Sequence, residues 1–109
     1  MQGMSKALIN ELHRIVTILK DSYKPERIIL FGSSVAEKGG EGSDLDLVII
    51  KNTRERFYDR IGQVLTLIKP HEAIDILVYT PDEYEKLKHE SWFVGEEIEK
   101  KGRVVYRAN

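Results

Sequence analysis

Apolar positions fall into blocks whose spacing changes along the chain. In residues 4–21, Ala7, Leu8, Leu12, Ile15, Val16 and Leu19 recur mostly in steps of three and four, which predicts an amphipathic helix. Ser5 suits its N-cap. Pro25 ends it, because proline disfavours helical backbone in the residue before it. Residues 27–31 read Arg-Ile-Ile-Leu-Phe, a short apolar run expected of a strand covered on both faces. A polar stretch with Gly39, Gly40 and Gly42 follows. Residues 44–50 alternate and then turn apolar, predicting a second strand. Thr53 is expected to cap a helix to about Lys69, with Phe57, Ile61, Val64, Leu65 and Ile68 on one face and Pro70 after it. Residues 73–79 form a third strand. Thr80-Pro81-Asp82-Glu83 opens another helix, with proline at its first position. A last helix spans residues 92–101 and stops at Gly102, and Val104, Val105 and Tyr106 suit an edge strand.

The predicted order, α-β-loop-β-α-β-α-α-β, fits one α/β (α+β) domain over residues 1–109. The second and third strands with the helix between them form a βαβ unit, so they are expected to pair in parallel.

Composition narrows the function. With 17 Lys and Arg against 18 Asp and Glu, the net charge is −1, which gives no bulk positive field for non-specific nucleic-acid binding. There is no cysteine, so disulfides, thiolate zinc sites and cysteine nucleophiles are excluded. No apolar run reaches the roughly 18 residues of a membrane helix, and the first residues lack a signal-peptide core. A cytoplasmic protein with no membrane attachment is expected.

The chemistry lies in three aspartates and a glycine turn. Asp44 and Asp46 stand two apart at the mouth of the second strand, where alternation puts both side chains on one face. Like charges so close repel unless a cation or hydrogen-bond donors offset them. Their oxygens suit Mg²⁺ or Mn²⁺ rather than zinc. Asp44 alone also suits a turn after Ser43. Asp75 lies within the apolar third strand, where an unpaired carboxylate is costly to bury. If the two strands are neighbours, the three carboxylates meet. Gly32-Ser33 follows the first strand; glycine allows close approach of a phosphate, the following amides attract anions, and Ser33 adds a hydroxyl. An ordinary strand-to-helix turn would use the same residues. Neither a Walker loop nor a dinucleotide fingerprint is present, and no EF-hand spacing follows Asp46.

Phe31-Gly32-Ser33, then Asp44-Leu45-Asp46 after ten residues, then Asp75 in a later strand, resembles the minimal nucleotidyltransferase family of the DNA polymerase β-like superfamily. The resemblance runs from the first helix to Tyr106. It implies a mixed sheet flanked by helices and transfer of a nucleoside monophosphate, AMP from ATP, to a hydroxyl. It implies that Gly32 and Ser33, with Ser43, hold the nucleotide. Asp44, Asp46 and Asp75 would bind Mg²⁺ (or Mn²⁺), with Asp75 alternatively acting as general base. Many relatives carry arginines shortly after Gly-Ser, where this chain has Ser34 and Ala36; Lys38 or another lysine is left to replace them. Minimal members resemble the antitoxin half of pairs whose other half is an all-helical HEPN-type protein, so the implied acceptor is a tyrosine of such a partner. The alternative is a non-catalytic module that neutralises a helical partner by docking.

Other residues have plainer readings. His13, His71 and His89 lack ligand spacing and read as solvated or capping. Trp92 and Phe93 read as core or lid-packing residues. The charged run from Thr53 through Arg54 and Arg56 to Arg60 reads as a solvated helix face, with Arg54 and Arg56 as possible partner contacts.

Overall fold

The computed structural model describes residues 4–35 and 44–109. Helix α1 (Lys6–Ser22) opens as expected, with Ser5 Oγ accepting from the Leu8 amide at 3.1 Å. Its buried face is Leu8, Leu12, Ile15 and Leu19 together with Glu11, while Ala7 is exposed. Strand β1 (Arg27–Phe31) leads into a single 3₁₀ turn, Gly32–Ser34. Strand β2 (Leu45–Ile50), helix α2 (Phe57–Ile68) and strand β3 (Ile74–Tyr79) form the expected crossover unit.

Helix α2 is capped by Arg56 and starts three residues later than a Thr53 cap predicts. The Thr53 hydroxyl accepts from the Glu55 amide at 3.1 Å, closing a local turn that competes with helix initiation. Leu65, expected on the apolar face, is exposed. At the other end Lys69 takes a left-handed conformation (φ 41°) before Pro70. Helix α3 (Pro81–Glu90) has a complete capping box. The Glu83 amide donates to Thr80 Oγ1 at 3.2 Å, and the Thr80 amide donates to Glu83 Oε1 at 2.9 Å.

The last helix, Phe93–Lys100, is a π-helix rather than an α-helix, and the Lys101 amide reaches back five residues to the Glu96 carbonyl at 3.1 Å. Gly95 lies directly on the Lys88 carbonyl, so close that a Cβ would stand 2.7 Å from its oxygen. Strand β4 (Arg103–Arg107) closes the chain.

The sheet order is β3-β2-β1-β4. β2 and β3 are parallel, whereas β1 is antiparallel to both β2 and β4, so the sheet is mixed. Alternation divides the apolar residues into two cores. Ile28, Leu30, Leu45, Leu47, Ile49, Ile76 and Val78 pack with α1 and α2. Ile29, Phe31, Val48 and Ile50 pack with Tyr84, Val94 and Ile98 of α3 and the π-helix. Both faces of β1 are thus covered, as its unbroken apolar run predicts. Among the described residues no helix is long and apolar enough to cross a membrane.

Candidate active site

The parallel pairing of β2 and β3 sets Asp46 directly beside Asp75, and Phe31 of β1 is the partner of Asp46 on the other side. Period-two alternation puts both carboxylates on the face of Val48, Ile50, Leu77 and Tyr79, at the end of that face where the apolar cover of α3 and the π-helix gives out. Asp75 and Asp44 are exposed; Asp46 is half-buried. Burial, then the charge of Asp75 and a side-chain hydrogen bond with it, then the charge of Asp44, push the Asp46 carboxyl up to about 6.

Asp46 and Asp75 therefore meet, and Asp44 lies near enough for its charge to act on Asp46. Among the described residues, however, no three acidic or histidine side chains converge as a ready-made metal cage. The arrangement is a carboxylate pair with a third carboxylate at its flank. Its donor set is all oxygen, and the mutual repulsion that raises Asp46 is what a hard divalent cation would relieve, so the residues fit Mg²⁺ or Mn²⁺ by chemistry.

Gly32 sits against this pair. Its φ of +72° is one that side-chain-bearing residues rarely adopt. A Cβ there would also collide with the Asp46 carboxylate. Glycine is thus required twice, for the bend and for the approach of Asp46. Ser33 faces solvent, while Ser34 is buried and its hydroxyl donates to the Asp44 carbonyl at 2.7 Å. That bond ties the turn after β1 to the start of β2 and fixes the spacing between Gly32 and the aspartates. No sequence signal marked Ser34, because its partner is a main-chain oxygen ten residues away. Ser43 and Lys38 lie outside the described residues.

Several expectations need correction. Trp92 is 71% exposed and Phe93 42% exposed, so neither is a core residue. The Phe93 ring meets Phe31 edge-on, with centroids 5.6 Å apart, and Phe31 is the strand partner of Asp46. Arg60, read as part of a solvated face, is buried. It donates to the Glu55 carbonyl at 2.8 Å, the Val78 carbonyl at 3.1 Å and both Glu83 oxygens at 2.7 and 3.2 Å. Arg54 and Arg56 are exposed, as are all three histidines.

Comparison with known proteins agrees with this fold. Residues 13–109 match the family model described as polymerase beta, nucleotidyltransferase. A solved structure from Sulfolobus solfataricus, assigned as a nucleotidyltransferase, superposes with a TM-score of 0.55 at 17% identity, covering 98% of this chain and 93% of that one. At that identity the likeness is one of fold. No curated protein sequence matches the chain.

Proposed function

We propose that this chain, which belongs to the polymerase beta nucleotidyltransferase family, transfers AMP from ATP to a hydroxyl with Mg²⁺ or Mn²⁺. The observation that carries the reading is the Asp46–Asp75 pair at the mouths of two neighbouring parallel strands, with the Gly32 turn pressed against it. In the reaction the acceptor oxygen forms a bond to the α-phosphorus, the bond to the β-phosphate oxygen breaks, and pyrophosphate leaves. Asp44, Asp46 and Asp75 would hold the cation, which when bound neutralises phosphate charge along the line of displacement. The Gly32–Ser33 turn positions the outer phosphates, with the exposed Ser33 hydroxyl as a donor. Asp75, the more exposed of the pair, is placed to accept the proton of the incoming hydroxyl, which requires an approach of about 3 Å, directly or through one water. The protein's contribution is chiefly orientation and charge.

The acceptor we assign is a tyrosine of an all-helical HEPN-type partner, so that the transfer makes this chain an antitoxin. The exposed Phe93, packed on Phe31 beside Asp46, supports a protein acceptor, since it offers an apolar landing near the carboxylates. The absence of arginine at positions 34 and 36 favours the second reading, in which the same surface neutralises the partner by docking alone. The test is to mix the chain with α-labelled ATP, Mg²⁺ and the product of the adjacent gene. Label on a partner tyrosine that disappears with Asp46→Asn supports transfer. A stable complex with no label supports docking.

A further inference from the structure

The turn after β1 has no cation of its own among the described residues. Ser34, the last residue of the turn, is buried, with its hydroxyl committed to the Asp44 carbonyl. The same turn borders a cavity of about 380 Å³, lined by Gly32, Val35, Glu97 and Lys101. Gly32 therefore touches both the acidic pair and this cavity. Among the described residues that line it, Lys101 is the one cation.

We infer that Lys101 contacts the triphosphate of the bound nucleotide, with Glu97 as its counter-charge when no nucleotide is bound. This rests on the nucleotidyltransferase reading above and names the residue that completes its phosphate site. Three features support it. The position of Lys101 is fixed: its amide donates to the Glu96 carbonyl at 3.1 Å and the Gly102 amide to the Ile98 carbonyl at 2.9 Å. Gly102 also lies so close to β1 that a Cβ would stand 2.8 Å from Ile29 Cγ2. The end of the π-helix is thereby clamped to the strand that runs into Gly32. Such π-turns inside or at the ends of helices recur at functional sites.

The Lys101 side chain, by contrast, is open to solvent. It is 62% exposed, and its Nζ stands 3.3 Å from Glu97 Oε1. An exposed pair of this kind is weak, whereas a lysine on a phosphate forms a stronger, charge-assisted bond. Exchanging Glu97 for phosphate is therefore favourable. The Glu97 carboxylate, left facing the phosphates, opposes binding.

The test is calorimetric titration of the whole chain with MgATP and, as a probe without a base, with magnesium tripolyphosphate. Lys101→Met weakens both by about tenfold or more with an unchanged melting temperature. Lys101→Arg stays within a few-fold of wild type, and Glu97→Gln binds both probes as tightly as wild type or more so. If wild type binds and Lys101→Met binds equally well, the Lys101 assignment is overturned while the transferase reading stands. An arginine variant as weak as the methionine variant also overturns it, because charge is then not the cause. Wild type that binds neither probe overturns both readings.

Discussion

Asp46 is the residue on which opposing demands meet. Half-buried beside Asp75 and within the field of Asp44, its carboxyl is held at about 6 against an ordinary 3.8. A carboxyl raised on folding favours the folded state below its unfolded value, and that advantage is lost as pH rises through 6. At neutral pH the ionised pair therefore costs stability. Asp46→Asn in metal-free protein should raise unfolding free energy at pH 7 by about 1–2 kcal/mol after allowance for solvent screening. The gain should shrink to nothing near pH 4, while nucleotidyl transfer is lost; urea unfolding at both pH values checks this. Gly32→Ala should fail on two counts, the positive φ and the collision with Asp46. We expect a loss of about 1–3 kcal/mol and a fall in transfer, measured on the same preparation. The aspartates and Gly32 were legible in the sequence because strand alternation and glycine's freedom are local properties. Ser34 was not, since a serine followed by undistinguished residues gives no hint that its hydroxyl reaches the Asp44 carbonyl.

At the scale of elements, the helices and strands were read from periodicity. What periodicity could not show includes two polar side chains, Glu11 and Arg60, with partners distant in sequence. Glu11 interrupts the apolar stripe of α1, yet it is buried there. It accepts two bonds from Arg14, at 2.7 and 3.0 Å, and one from the His71 amide, while Arg14 also donates to the Lys69 carbonyl. This network pins α1 to the connection that delivers Asp75. The bonds from Arg14 outweigh burial and, with the His71 amide, hold the Glu11 carboxyl down at about 2. A depressed carboxyl stabilises the fold above its unfolded value and loses that contribution as pH falls from about 4.5 towards 2. Glu11→Gln should therefore cost about 2 kcal/mol at pH 7 and much less at pH 2, read by denaturant midpoints. Arg60 does the same for α2, β3 and α3, since it also lowers the Glu83 carboxyl that caps α3. Arg60→Met should cost about 3–5 kcal/mol by stranding the Val78 carbonyl and Glu83, checked by thermal unfolding. The π-helix lay beyond periodicity altogether, because a hydrophobic stripe over eight residues does not separate a five-residue reach from a four-residue one.

For the whole molecule, the crossover unit was the most legible part: two strands joined by a helix pair in parallel, and that rule alone puts Asp75 next to the strand of Asp46. The antiparallel placing of β1 and β4, which brings Gly32 to the same edge and the π-helix beside it, needed the coordinates. The sheet thus serves as a frame that aligns a glycine turn, two carboxylates and the end of a late helix at one place. A frame of this kind should be stabilised by its ligand. MgATP at about 100-fold above its dissociation constant should add about 2.7 kcal/mol to unfolding free energy, seen as a rise in melting temperature absent with Asp75→Asn.

The most direct measurement is titration with Mn²⁺ in the presence of ATP, followed by the paramagnetic signal of the free ion, for wild type, Asp46→Asn and Asp75→Asn. Wild type should take up the ion, and each variant should lose at least 90% of that uptake at the same concentrations. Equal uptake by all three proteins would contradict the assignment of this carboxylate pair as the metal and nucleotide site.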